Sequence, residues 1–118
     1  MESFLTMLEH LFVYGTLAPG RSNEHLLENL SGKWRPATVK GHLTRGVRGS
    51  ARGYPGVLLE DTDNEVEGLL FSSSDLTRHW QRLDAFEGNG YERRTTMARL
   101  PGGKAVPAHI YTLRLTGR

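Results

Sequence analysis

The chain has 118 residues, 37% of them hydrophobic, which suits one compact domain with one core and excludes two. It contains no cysteine, so disulfides, thiolate chemistry and cysteine-based zinc or iron–sulfur sites are excluded. Formal net charge is only +2 despite a pI of 9.2, and the basic residues are scattered along the chain, so no nucleic-acid partner is expected. No stretch approaches the roughly 20 apolar residues that span a bilayer. The acidic opening, residues 1–10, suits neither a secretory nor a transit peptide, so a cytoplasmic setting away from membranes is expected. The five histidines (His10, His25, His42, His79 and His109) lack ligand spacing, and no metal is assigned.

Residues 11–14, Leu-Phe-Val-Tyr, form a run of β-formers stopped by Gly15 and then by Ala18-Pro19-Gly20, which predicts a strand entering a loop. In 22–30, Leu26, Leu27 and Leu30 recur at helical spacing behind Ser22 as candidate N-cap, with Gly32 beyond the end: a short helix. Residues 37–44 alternate as a strand does, with Val39 and Leu43 on one side and Thr38, Lys40 and His42 on the other. The glycine-rich stretch 46–56 predicts a loop ending in a Tyr54-Pro55-Gly56 turn, with Arg45, Arg48 and Arg52 as a solvated basic cluster. Residues 57–59 and 66–71 predict two strands joined as a hairpin through Asp61-Thr62-Asp63-Asn64. A helix over 74–87 follows. After Gly88-Asn89-Gly90, the segments 91–100 and 104–115 predict a second hairpin that turns at Pro101-Gly102-Gly103. Strands in this number with two helices interposed imply an α+β fold, a curved sheet or small barrel, in a single domain over 1–118 with residues 1–10 as an N-terminal extension.

The most informative residue is Glu87. At about 100° per residue, Leu76, Trp80 and Leu83 form the apolar stripe of the 74–87 helix, and Glu87 falls on that same stripe at i+11. A carboxylate aimed inward at a helix C-terminus meets desolvation and the negative end of the macrodipole, and both raise its pKa. A glutamate becomes a general acid/base in that way. The same spacing also fits an ordinary amphipathic helix whose last turn frays and leaves Glu87 in water. Asp84, the rival carboxylate, lies toward the flank of the stripe, where a capping or salt-bridge role is expected; Glu92 is expected to face solvent from a strand. Two carboxylates one turn apart do not flank a sugar from opposite faces, which argues against a glycosidase pair of Asp84 and Glu87.

A second candidate is Val13-Tyr14-Gly15-Thr16-Leu17. A glycine straight after a buried strand lets a ligand approach the backbone, and a bend there turns successive N–H groups outward toward a carboxylate or developing oxyanion. By itself the pattern also fits a strand that ends in a glycine turn, and it lacks Walker A or dinucleotide spacing.

In order, Phe12-Val13-Tyr14-Gly15-Thr16-Leu17, Gly53-Tyr54-Pro55-Gly56 and Leu83-Asp84-Ala85-Phe86-Glu87-Gly88 followed by Tyr91-Glu92-Arg93 resemble the γ-glutamylcyclotransferase-like superfamily, most of all its γ-glutamylamine cyclotransferase and AIG2-like branch. The resemblance runs from about Phe12 to Leu113. It implies a mixed β-barrel flanked by helices with a cavity at one end, Glu87 as the catalytic glutamate, and Tyr14, Gly15, Thr16 and Leu17 lining the substrate pocket. Tyr54 and Tyr91 sit in matching motifs and are expected in or behind that pocket. The implied reaction releases 5-oxoproline and a free amine from a small γ-glutamyl substrate and needs no cofactor. The alternative is a protein of the same fold that binds a metabolite or partner without catalysis.

Overall fold

The computed structural model describes residues 8–14, 25–45, 55–88 and 90–113. Strands β1 (Glu9–Val13), β2 (Lys33–Arg45), β3 (Pro55–Leu59), β4 (Glu65–Ser73), β5 (Tyr91–Arg99) and β6 (Ala105–Leu113) form one sheet in the order β1-β4-β2-β3-β6-β5. Parallel pairing of β1 with β6, at Leu11–His109 and Phe12–Ile110, closes five strands into a barrel. β5 is the added strand. It pairs along the whole of β6 and meets β2 at Thr38–Arg99. The mixed barrel flanked by helices is thus the fold, with α1 (His25–Glu28), a 3₁₀ turn (Leu76–Arg78) and α2 (Trp80–Glu87) as its helical parts.

Period-two alternation along the strands divides the apolar residues into two layers. Phe12, Val39, Val57, Val66, Leu70, Leu100 and Ile110 fill the barrel. Leu11, Val13, Phe71 and Tyr111 point outward, where Leu27 of α1, Leu76 of the 3₁₀ turn and Leu83 of α2 cover them. The outer layer places α2 against β1, β5 and β6, which is why a residue on the apolar stripe of α2 must face protein.

Several expectations are revised by the chain's path. Residues 57–59 and 66–71 do not form a hairpin: β3 and β4 each pair antiparallel with β2, β3 along Gly41–Arg45 and β4 along Lys33–Lys40. β2, at 13 residues, is long enough to carry both. The turn at 60–64 is therefore a displacement between two stretches that run along one strand, with the Gly41 N–H donating to the Asn64 carbonyl at 3.1 Å. Gly41 has φ 151°, and a Cβ there would stand 2.4 Å from the Leu58 carbonyl oxygen, so this junction needs glycine. Beyond it, Leu43 is exposed rather than sharing a buried face with Val39. Pro55 and Gly56 open β3 instead of closing a turn, because their backbone continues the ladder with Arg45 and Thr44. Glu9 and His10, taken as the end of an extension, belong to β1 and pair with Ser73 and Ser72. The first helix spans only His25–Glu28, and Ser22 lies outside the described residues, as does the Arg48 and Arg52 part of the basic loop. The β5–β6 hairpin forms with its turn at Pro101-Gly102-Gly103, closed by the Gly103 N–H on the Leu100 carbonyl at 2.9 Å.

Candidate active site

The helix expected over 74–87 is two pieces. His79, at φ −120° and ψ 0°, separates the 3₁₀ turn from α2. The stripe survives the break: Leu76 and Leu83 are fully buried, Trp80 packs at the edge of the outer layer, and Glu87 is half-buried. At the exit, the Gly88 N–H donates to the Asp84 carbonyl at 3.2 Å and the Gly88 carbonyl accepts from the Tyr91 N–H at 3.4 Å. Gly88 has φ 81° and ψ −170°, a conformation open essentially to glycine, which ends the helix at Glu87 and turns the chain into β5.

Burial pushes the Glu87 carboxyl up to about 7 from its ordinary 4.5. Near neutral pH it is divided between its acid and base forms, the condition for passing a proton in both directions. Its charge is felt by the phenols of Tyr14 and Tyr111, and each is pushed above its ordinary value first by its own burial. The Tyr14 hydroxyl donates to the Tyr111 carbonyl at 2.5 Å and accepts from the Val57 N–H at 3.1 Å. Its one proton is therefore engaged with the backbone, and the side chain ties together the ends of β1, β6 and β3. Tyr91 stands close enough for its phenol to raise that of Tyr14 further, and its ring packs in the outer layer. The structure thus gathers Glu87, Tyr14 and Tyr91 at one end of the barrel. Gly15, Thr16, Leu17 and Tyr54 lie outside the described residues.

Asp84 sits one turn before Glu87 and has the opposite character. Burial opposes its ionisation, but hydrogen bonds from Arg93 and Tyr111 outweigh that and hold its carboxyl below the usual range. Arg93 Nε donates to Oδ1 at 2.9 Å and Nη2 to Oδ2 at 3.3 Å, while the Tyr111 hydroxyl donates to Oδ1 at 2.5 Å. This is the salt-bridge role its flank position predicts. Glu92 is half-buried, with Arg94 at 3.8 Å.

A polar network beneath α2 was not legible in the sequence. Glu9 of β1 accepts from Trp80 Nε1 and from Thr77 Oγ1, both at 2.7 Å. Burial works against its charge and these two bonds, with His109 and Arg93 nearby, more than offset it and hold the Glu9 carboxyl below its ordinary value. The Arg93 guanidinium lies 4.4 Å over the Trp80 ring, and its Nη1 is 3.1 Å from His109 Nδ1. These partners stand 9 to 71 positions apart in the chain, beyond any local pattern. Two signals existed nonetheless: a Trp on a buried stripe whose N–H needs an acceptor, and Tyr91 and Arg93 on one face of a strand. Among the described residues, no three His, Asp or Glu side chains gather as a metal site requires.

Comparison with known proteins adds to this geometry. Residues 11–117 match the sequence profile of the family described as Gamma-glutamyl cyclotransferase, AIG2-like. No curated protein matches significantly. Among solved structures, YkqA from Bacillus subtilis is 32% identical with a TM-score of 0.69 over 93% of this chain, which spans 37% of that protein's length. An AIG2-like protein from Mus musculus superposes with a TM-score of 0.66 at 22% identity, covering 89% of this chain and 76% of its own. A structure titled gamma-glutamyl cyclotransferase gives 0.71 at 18% identity, covering 92% and 68% respectively, a likeness of fold.

Proposed function

Because the chain belongs to the gamma-glutamyl cyclotransferase, AIG2-like family, we propose that it converts a γ-glutamyl amine or γ-glutamyl amino acid to 5-oxoproline and a free amine, with Glu87 as general acid/base. The observation that carries this reading is a single half-buried carboxyl pushed up to about 7 at the exit of α2, beside two tyrosines at one end of the barrel.

The reaction needs little beyond that. Nucleophile and carbonyl belong to one molecule, and folding the substrate so that they meet supplies a large part of the roughly 7–11 kcal/mol available from orientation. The remaining work is proton transfer. Ionised Glu87 takes a proton from the α-ammonium, the freed nitrogen attacks the γ-glutamyl carbonyl, and a tetrahedral oxyanion forms. Protonated Glu87 then gives that proton to the leaving nitrogen as the oxyanion collapses and the C–N bond breaks. The restored carboxylate takes the second proton from the ring nitrogen, leaving the neutral lactam, and passes it to the departing amine, which is released as its ammonium. No water is consumed and no redox change occurs. A carboxyl left near 4.5 would be a poorer acid at neutral pH because its protonated form would be scarce.

We assign the oxyanion or the substrate carboxylate to backbone N–H groups of Gly15, Thr16 and Leu17. The rings of Tyr14 and Tyr91, with Tyr54, are assigned to the walls of the substrate site. Bonding of the Tyr14 hydroxyl to Tyr111 and Val57 supports a wall rather than a proton donor. The partner is a small γ-glutamyl molecule in the cytoplasm, and no helix among the described residues is long and apolar enough to cross a membrane.

Mass-spectrometric detection of 5-oxoproline tests the proposal, with wild-type and Glu87→Gln proteins incubated with a panel of γ-glutamyl amides. Product from the wild type, reduced at least about 10²-fold in the variant, is expected. Binding of panel members without product would favour the non-catalytic alternative.

A further inference from the structure

The geometry points to Arg93, Asp84 and Tyr111 as positioning residues that lock the last turn of α2 onto the barrel and thereby set where the Glu87 carboxylate sits. This rests on the reading of Glu87 as the acid/base and extends it to residues that do not touch the substrate.

α2 has eight residues, and no side chain caps its N-terminus. A helix this short is marginal by itself, so tertiary tethers decide its position. The tether at its C-terminal end is Asp84, whose carboxylate takes both arms of the Arg93 fork and the Tyr111 hydroxyl. The carbonyl of that same residue accepts the Gly88 N–H and so closes the turn that carries Glu87. Arg93 is itself fixed, stacked on Trp80 at 4.4 Å and bonded to His109 Nδ1 at 3.1 Å. Its side chain is 26% exposed against 43% for Asp84, so the pair is held from the Arg93 side. Planar fork, ring stacking and phenol bond together define an orientation as well as an attraction.

Tyr111 joins both sides of the site. Its hydroxyl holds α2 through Asp84, and its carbonyl accepts the Tyr14 hydroxyl at 2.5 Å. One residue of β6 thereby fixes the helix that carries the carboxylate and the tyrosine whose phenol senses its charge. Among the groups around Glu87, the phenols of Tyr14 and Tyr111 sense its charge, and Asp84 stands one turn before it on the same helix.

The test is the carboxyl titration of Glu87, followed by carbon NMR in ¹³C-glutamate-labelled protein, for wild type, Tyr111→Phe and Arg93→Met, with 5-oxoproline kinetics alongside. Tyr111→Phe keeps the buried ring and removes one oxygen. In Arg93→Met the two explanations have opposite signs. Loss of a nearby positive charge raises a carboxyl's pKa, whereas a loosened turn lets water reach Glu87 and lowers it. The expected result in both folded variants is a midpoint at least about one unit below the wild-type value, with kcat down about tenfold or more and KM changed less. An unchanged or raised midpoint in both would overturn the inference. So would failure of both to fold, since the network would then be a requirement of the fold and not of the site. A lowered midpoint in variants of a protein that makes no 5-oxoproline would uphold the positioning while removing the proposed reaction.

Discussion

Replacing Glu87 by Gln should strengthen the fold at neutral and alkaline pH while lowering the rate of the chemistry at least about 10²-fold. The carboxyl rises from 4.5 in the unfolded chain to about 7 in the folded protein. Below pH 4.5 both states hold the proton and no stability is lost. Between 4.5 and 7 the unfolded chain releases its proton and the folded protein retains it, so stability falls as pH rises. Above 7 both are ionised and the loss is constant. At 1.36 kcal/mol per pKa unit the ceiling is about 3 kcal/mol, and partial hydration of a half-buried carboxylate brings the expected size to about 2–3 kcal/mol. Glutamine has nearly the same shape and no charge to desolvate. The assay is urea denaturation of wild type and Glu87→Gln from pH 4 to pH 8.5. Taking the difference between the two proteins cancels Asp84, Glu9 and every other titrating group. The variant's advantage should be near zero at pH 4, grow between 4.5 and 7 and level off above. A difference that stays flat with pH would mean that Glu87 titrates as a solvated carboxylate, and the argument from burial would fail. A residue that costs stability in its working charge state is typical of sites selected for reactivity.

Tyr14→Phe should destabilise the protein by about 1–3 kcal/mol by leaving the Val57 N–H without its acceptor, yet lower kcat far less than Glu87→Gln does; an equal loss of kcat would show the phenol taking part in proton transfer. Gly41→Ala should cost about 1–3 kcal/mol in chemical denaturation, since its Cβ meets the Leu58 carbonyl oxygen at 2.4 Å; a neutral result would mean that β2 can shift at this junction.

Local pattern carried the site further than it carried the topology. Glu87 was legible because a helix repeats every 3.6 residues, so one polar residue on the Leu76–Leu83 stripe stands out, and the stripe outlasts the break at His79. The β5–β6 hairpin was legible for a similar reason, with Pro-Gly-Gly between two β-rich runs. The β3–β4 pairing was misread because residues 61–64 look like a hairpin turn, whereas 13 residues of β2 offer both strands a longer partner. Alternation names the face of a strand and not its neighbour. The Glu9, Arg93 and Tyr111 network escaped for that reason: each side chain reads as an ordinary charge or ring until closure of the barrel brings β1, β5 and β6 under α2. Glu9 stands just ahead of the stretch matched to the family, where the sequence offered no role for it.

The central claim is that the carboxyl of Glu87 transfers the proton in γ-glutamyl cyclisation, and the pH dependence of 5-oxoproline formation tests it most directly. On whichever γ-glutamyl amide the wild type accepts, kcat should be governed by a group titrating at about 7, and a folded Glu87→Gln protein should lose at least about 10²-fold in kcat together with that titration. Turnover by the variant near the wild-type rate, or residual activity that follows the same pH curve, would contradict it.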